Sequence, residues 1–342
     1  MGLHWGTPVL QSLLRPSLWA QIQSVHVDPF TPIKEVDNLN FLNGATGEKM
    51  GSLTVARWHR LRRSKLRTLM AADVNIQYNK RLTNLSYTSS AVTATFEDGT
   101  IVTGRILVGA DGARSSVRSL IAGPDAAQIT RLPFAATFVQ ARYSREQALF
   151  LRSLHPLYLA APHPVGLFSF FGLQDAADPE APETWTFFFY ISWASSIAQQ
   201  DEEMKTFSQK DRLKQLQALA MDFTEPWKSA AEWLPDDQPC FYLGLTIWDP
   251  SLEGHSWRNE GGKVTLAGDA AHPMTYRTYS RSFNPRPFIQ GQEIEFVAVM
   301  PLTSRRARPR PQSLHHRQRQ AAQRHQVLHV RGSGTRCGDR CL

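Results

Sequence analysis

Two short runs in this chain join small residues, an acid and a helix start in the way a nucleotide site requires. Gly268-Asp269-Ala270-Ala271-His272-Pro273 follows the apolar stretch Val264-Thr265-Leu266-Ala267, so it reads as a strand that turns abruptly into a helix with only small residues at the turn. A helix start in that setting presents unpaired N–H groups and partial positive charge to a pyrophosphate, and Asp269 at its mouth can accept hydrogen bonds from sugar or ribitol hydroxyls. The second run is Arg105-Ile106-Leu107-Val108-Gly109-Ala110-Asp111-Gly112-Ala113-Arg114-Ser115-Ser116-Val117-Arg118. There Asp-Gly forces a tight turn, Ser115 or Ser116 caps the helix that follows, and Arg114 and Arg118 bring positive charge to the same corner. Each run alone is also what an ordinary capped helix looks like. Both in one chain, in this order and about 150 residues apart, point to a shared ligand.

The two runs resemble the second and third cofactor signatures of the FAD-dependent aromatic hydroxylase family, the single-component flavoprotein monooxygenases related to para-hydroxybenzoate hydroxylase. Arg62-Arg63-Ser64-Lys65-Leu66-Arg67-Thr68-Leu69-Met70 resembles the family's Arg-x-x-Leu helix, and the likeness spans roughly residues 1 to 275. The resemblance implies that Asp269 holds the FAD ribose, that the helix starting at Ala270 faces the pyrophosphate, and that Pro273 lies near the flavin ring. Gly268 and Ala271 belong to that turn. Asp111, Gly112 and Arg114 would form the segment between FAD and the nicotinamide donor, and Arg63 would contact the cofactor. The implied reaction uses NADPH or NADH and O2 to hydroxylate an aromatic or polyketide-like small molecule. The cofactor carries the difficult chemistry while the protein positions the ring, excludes water and assists phenol deprotonation. Accordingly the sequence shows no nucleophile-base-acid set, no Gly-x-Ser-x-Gly elbow and no metal-ligand cluster, and no catalytic residue is singled out.

Departures from the family pattern occur at both ends. The family opens with a strand, a Gly-x-Gly-x-x-Gly turn and a helix, whereas this chain opens Met1-Gly2-Leu3-His4-Trp5-Gly6. Its one Gly-x-Gly, Gly332-Ser333-Gly334, has no strand before it and Cys337 where the third glycine belongs. After Thr275 the family's Gly-Gln-Gly-x-Asn loop is replaced by Tyr276-Arg277-Thr278-Tyr279-Ser280-Arg281, with Gln290-Gly291-Gln292 only a faint echo. The expectation is an incomplete FAD domain with weak or absent FAD binding and impaired activity.

The elements that must position these runs follow from pattern. Val74 to Tyr78, Ala91 to Phe96 and Thr100 to Val102 read as short strands, with Asp98-Gly99 as a hairpin turn. From Leu132 to Asp249 aromatic residues accumulate, culminating in Trp185-Thr186-Phe187-Phe188-Phe189-Tyr190-Ile191-Ser192-Trp193. Such runs suit a sheet core and, together, an aromatic-lined pocket in which Tyr143, Tyr190, Arg142 and His155 are the polar candidates to orient a phenol. Lys210 to Phe223 reads as a helix with Leu213, Leu216, Leu219 and Ala220 inward and Lys210, Arg212 and Lys214 outward. The predicted fold is mixed α/β: an incomplete Rossmann-like FAD domain, an antiparallel-sheet substrate domain and a disordered basic tail. The predicted segments are 1–125 (partial FAD domain with inserted strands), 126–255 (substrate sheet), 256–275 (returning FAD segment) and 276–342 (arginine-rich tail).

Composition isolates the tail. Residues 276–342 hold 13 arginines, no lysine and three acids, a formal +10, whereas residues 1–275 carry −2. The basic charge of the whole chain therefore says nothing about the partners of its body. A shifted reading frame or retained intervening sequence accounts for the tail, and its polarity predicts disorder; the rival reading is a nucleic-acid-binding arm. A second rival is a non-catalytic remnant that uses its aromatic sheet to bind or dimerise. The partners expected are an aromatic small molecule and a homodimer mate, with no nucleic acid and no membrane. Only Cys240 lies in the body, so no disulfide framework is expected, and Cys337 and Cys341 make a weak metal pair. With no apolar run of membrane-spanning length and no signal-peptide pattern, a cytoplasmic location is expected.

Overall fold

The computed structural model describes residues 1–4, 6–72, 74–155, 157–275, 296–301 and 325–330. The chain forms two compact units, Met1–Ala72 with Arg131–Leu245, and Asp73–Thr130 with Thr246–Leu342.

The first unit is built on a seven-stranded sheet in the order Cys240–Ile247, Thr130–Ala141, Thr186–Ala194, Phe168–Asp175, Tyr158–Pro162, Val36–Leu42, Lys49–Ala56. Pairing along Thr130–Ala141, Thr186–Ala194, Phe168–Asp175 and Tyr158–Pro162 is antiparallel, and Tyr158–Pro162 meets Val36–Leu42 in parallel through Ala160 and Phe41. Strand alternation divides the aromatic run between two faces. Phe187, Phe189 and Ile191 point into the main core with Val139, Phe171 and Leu173. Phe188 and Tyr190 point to the opposite face with Phe134, Phe138, Phe168 and Phe170. Helices cover the first face. Arg145–Leu154, Ile197–Thr206 and Gln209–Ala220 each start from a serine (Ser144, Ser196, Ser208) whose hydroxyl accepts the third backbone N–H of its helix, completing a capping box. The predicted 210–223 helix is thus found as Gln209–Ala220, with Leu213, Leu216 and Ala220 buried. Arg212 corrects the expectation of an outward face. It is 4% exposed, donates to Glu203 at 2.6 Å and lies over the Tyr242 ring at 3.6 Å.

The second unit holds two sheets. Three antiparallel strands, Leu82–Tyr87, Val92–Phe96 and Ile101–Gly104, form one of them, and Gly99 at φ +81° makes the turn that Asp98-Gly99 predicts. The other is five-stranded in the order Val264–Leu266, Ile106–Gly109, Phe296–Pro301, His325–Val330, Asn75–Gln77. Val264–Leu266 and Phe296–Pro301 flank Ile106–Gly109 in parallel on either side.

The grouping of the chain and its last strands bear on the predicted segments. Residues 1–72 group with 131–245 instead of with the Asp-Gly strand. The reason is the hairpin Val36–Leu42/Lys49–Ala56, which extends the seven-stranded sheet and carries its flanking chain with it. The expectation of a disordered tail does not extend to Phe296–Pro301 and His325–Val330, which are strands. Phe296-Val297-Ala298-Val299-Met300 is a short apolar run of high strand propensity, and it supplies backbone partners to an edge of Ile106–Gly109 that would otherwise be open. Gly332-Ser333-Gly334, Cys337, Cys341 and Gln290-Gly291-Gln292 lie outside the described residues.

Candidate functional site

The two glycine-acid turns are brought together by strand register. Val264 pairs with Leu107 and Leu266 with Gly109 in parallel, and Ala267 N–H donates to the Gly109 carbonyl at 2.8 Å. Both turns therefore leave the carboxyl edge of the sheet side by side, the place where open α/β sheets receive ligands. Gly109 sets the tightness of this corner. A Cβ there would lie 2.6 Å from Val117 Cβ and 2.9 Å from Leu266 Cδ2, so only glycine lets helix Ser116–Ala122 close on the strand.

The Asp111-Gly112 turn is wound around its own helix. Asp111, 2% exposed, accepts the Ser115 hydroxyl and the backbone N–H groups of Ser116 (2.7 Å) and Val117 (3.1 Å). Ser115 in turn caps the helix by accepting Arg118 N–H at 2.9 Å. The Asp111 carboxylate is thus committed to holding the turn, which leaves Gly112, at φ +85°, and the exposed Arg114 as the uncommitted groups of this loop. Among the described residues Arg114 has no ion-pair partner.

Arg118 is the residue whose role the sequence misreads. It is 1% exposed, and its guanidinium donates to the carbonyls of Ala127 (3.1 Å), Ala270 (2.8 Å) and Ala113 (2.5 Å). Its flat face lies 4.8 Å from the Trp248 ring, and Trp248 Nε1 donates to Ala126 O at 2.7 Å. Burial pulls its pKa below the ordinary arginine value, while Asp111 opposes that shift. Arg118 therefore ties both turns to one point instead of offering charge to a ligand.

The Gly268-Asp269 turn is open. Gly268 sits at φ +58° with no atom of the described residues within 4 Å of where a Cβ would project, and Asp269 is exposed. Beneath them Ala270, Ala271 and Pro273 are buried. The expected helix from Ala270 is one turn of 3-10 helix, Gly268–Ala270, closed by Ala271 N–H and His272 N–H on the Gly268 carbonyl at 2.9 and 3.0 Å. Residues 272–275 have no regular structure, and any continuation lies outside the described residues.

Arg63 belongs to the first unit and is not part of this pair of turns. It is the exposed first residue of helix Arg63–Met70, whose Leu66 and Leu69 are buried. Its neighbours Arg62 and Lys65 are occupied by Asp175 at 3.3 and 2.8 Å.

The same unit presents the aromatic face. Phe138 and Phe170 lie 4.9 and 6.3 Å from the Tyr190 ring, and Phe241, 55% exposed, extends the surface at 6.2 Å from Phe138. Of the four polar candidates, only Tyr190 stands on this face. Tyr143 lies in the helix-covered core and donates to Ala230 O at 2.7 Å, Arg142 is exposed, and His155 Nδ1 accepts the backbone N–H groups of Leu157 and Tyr158 at 3.1 and 3.0 Å. Sequence reasoning overlooked Arg60 on this unit. It sits among Arg57, Arg62 and Arg63, and nothing in that basic run marks which arginine turns inward.

No family-level sequence model matches the chain. Curated relatives do. The FAD-dependent monooxygenase cctM of Talaromyces islandicus is 34% identical over 275 residues, covering 80% of this chain and 66% of the relative. The FAD-dependent monooxygenase phnB of Penicillium herquei is 32% identical over 280 residues, with 80% and 66% covered. The FAD-dependent monooxygenase dbaB of Emericella nidulans is 30% identical over 282 residues, with 80% and 70% covered. The chain thus spans just under two thirds of the length of the first two relatives. Among solved structures, 2,6-dihydroxypyridine-3-hydroxylase of Arthrobacter nicotinovorans aligns with TM-score 0.55 at 18% identity, over 76% of this chain and 66% of that one. A point variant of Klebsiella pneumoniae HpxO, solved with FAD, aligns with TM-score 0.51 at 16% identity, over 71% and 60%. These likenesses show the fold. On its sequence relatives, this chain belongs to the FAD-dependent monooxygenase family.

Proposed function

We propose that this chain is an FAD-dependent monooxygenase of secondary metabolism that hydroxylates an aromatic or polyketide-like small molecule, taking hydride from NADPH or NADH and oxygen from O2. The observation that carries this reading is the pairing of the two turns on adjacent parallel strands, with the Gly268-Asp269 turn left open. A flavin nucleotide needs bare backbone beside its pyrophosphate and an acceptor for its hydroxyls. The space over Gly268, free of atoms among the described residues, and the exposed Asp269 carboxylate fit those needs. In this reading Gly268, Asp269, Ala270, Ala271 and Pro273 hold FAD, Gly112 and Arg114 border the path of the nicotinamide donor, and Arg63 supplies positive charge. Asp111 acts through the loop it caps.

Bound FAD supplies the redox chemistry and oxygen activation. The chain's own contribution is placement. The aromatic face around Phe138, Phe170 and Tyr190 seats a flat ring by stacking, excludes water from it and offers one phenol group for orientation. Among the described residues no metal-ligand cluster occurs and no helix is long and apolar enough to cross a membrane. A cytoplasmic location and a homodimer complete the proposal. The test is incubation of the FAD-loaded chain with NADPH or NADH, 18O2 and a panel of phenols and resorcinols. Substrate-stimulated oxidation of the donor with one labelled oxygen in the product is expected. Loaded protein that incorporates no label across the panel would refute the activity.

A further inference from the structure

The unpaired edge of an open sheet offers a row of backbone N–H and C=O groups to another chain. Most described edges of this protein are blunted. Asn75–Gln77 and Val264–Leu266 are three residues long, Ile101–Gly104 is four, and Leu82–Tyr87 has a register break between Leu82 and Asn84. The longer edge Cys240–Ile247 keeps Cys240 and Leu245 buried and gives the Cys240 N–H to the Gln209 side chain at 2.9 Å. Lys49–Ala56, at the other end of the same seven-stranded sheet, differs from all of these. It is eight residues long and exposed at every position but Val55, with Met50 and Leu53 62% and 49% exposed. Among the described residues its backbone ladder is made with Val36–Leu42 alone, and no other backbone hydrogen bond reaches it.

The register of that ladder limits what the edge can receive. Phe41 faces Gly51 and Leu42 faces Lys49, so Met50 is an extra residue that interrupts the edge, and the regular stretch is Gly51–Ala56. Gly51-Ser52-Leu53-Thr54-Val55-Ala56 contains no charged residue and no proline, two of the devices that keep an edge from pairing. Charges stand only at its ends and in both signs. Glu48 and Lys49 precede it, and Arg57 follows it with the Glu35 carboxylate on its Nε at 3.0 Å.

We propose that Gly51–Ala56 pairs antiparallel with the same strand of a second copy of this chain, joining two seven-stranded sheets edge to edge. Identical edges that continue one antiparallel sheet are related by a two-fold axis normal to it. Side chains then keep their face, and one residue faces its own copy. Centred on Ser52, the pairing meets the Met50 interruption after three residues; centred on Thr54, it sets Gly51 against Arg57, outside the strand. Centred on Leu53, it uses five residues of each regular stretch, with Ser52 against Thr54 and Gly51 against Val55, and covers the exposed Leu53 with its own copy. Each end of the seam then gathers Glu48 and Lys49 of one copy with Arg57 and Glu35 of the other, a balanced set. Five residue pairs make a small interface, so the dimer dissociates on dilution. This surface belongs to the homodimer proposed above and rests on that part of the reading.

The experiment is sedimentation velocity of the full chain over a hundredfold range of concentration, with Leu53→Lys, Leu53→Glu and their equimolar mixture. The parent is expected to pass from monomer to dimer as concentration rises. Each charged variant is expected to keep the parent's far-UV circular dichroism and to raise the dissociation constant at least tenfold, because like charges face each other across the axis. The mixture, which sets opposite charges there, is expected to return to within threefold of the parent. A second measurement decides if those variants fail to fold: oxidation of Leu53→Cys and of Met50→Cys, each in a Cys337→Ser, Cys341→Ser background. Position 53 meets its own copy, whereas the two copies of position 50 lie about 20 Å apart along the seam. Cross-linked dimer is therefore expected from Leu53→Cys and not from Met50→Cys. A parent that stays monomeric throughout overturns this surface and the homodimer together. A dimer that survives unchanged in both charged variants, or cross-linking as fast through Met50→Cys as through Leu53→Cys, overturns this surface and leaves the homodimer standing.

Discussion

Arg118 and Arg60 are both buried arginines, one in each unit, and they solve the same problem in opposite ways. Arg118 spends its guanidinium on three backbone carbonyls and the face of Trp248. Among the described residues Arg60 has the ring of Phe170 and an Nε without a hydrogen-bond partner. The first arrangement is complete without a ligand and fixes the geometry of two turns. The second leaves that donor unsatisfied among the described residues. Burial by itself therefore does not say how firmly an arginine is held; the count of satisfied donors does.

The largest effect should come from breaking the complete arrangement. Arg118→Met leaves the carbonyls of Ala113, Ala127 and Ala270 without their donor, and a loss of about 3–5 kcal/mol is expected from chemical denaturation. A loss below about 1 kcal/mol would show that the two turns hold themselves. Next comes acid. His26 and His59 share a buried contact, His26 Nε2 to His59 Nδ1 at 3.0 Å, and burial followed by the charge of His59 lowers the His26 pKa to about 4. A histidine whose folded pKa lies below its unfolded value of about 6.5 binds fewer protons when folded, so its stabilisation is full above pH 6.5 and is lost as pH falls toward 4. A decline of about 2 kcal/mol across that window is expected in the parent and a flatter profile in His26→Gln. Equal slopes would assign the acid sensitivity elsewhere. The smallest effect is Arg60→Met, expected to be neutral or to stabilise by about 1 kcal/mol, opposite in sign to Arg118→Met.

How far the sequence reveals this depends on range. Local signals were legible. Asp98-Gly99 gives its hairpin, serine caps start their helices, and the leucine spacing of 209–220 marks its buried side. The paired glycine-acid turns were also legible, because two of them in this order in one chain are rarer than the single capped helix start that each resembles. What the sequence hides is decided by partners distant along the chain. Arg118 meets Ala270, 152 residues away, and Arg212 is drawn inward by Glu203 and Tyr242. Asp111 is taken by a helix start that serves equally well as a ligand site on paper. The hairpin at 36–56 joins the seven-stranded sheet through a parallel pairing that no alternation of residues predicts. The apolar run 296–300 looks too short to matter until the open edge it pairs with is known.

The central claim is that the open Gly268-Asp269 turn receives a flavin nucleotide, and the most direct test is fluorescence titration of FAD with the parent chain and Asp269→Ala. Asp269 is exposed, so the substitution should leave the unfolding midpoint unchanged. The account predicts one-to-one FAD binding by the parent, at the low affinity that the departures from the family pattern imply, and at least tenfold weaker binding by the variant. Absence of binding by the parent, or equal affinity in the two proteins, would contradict it.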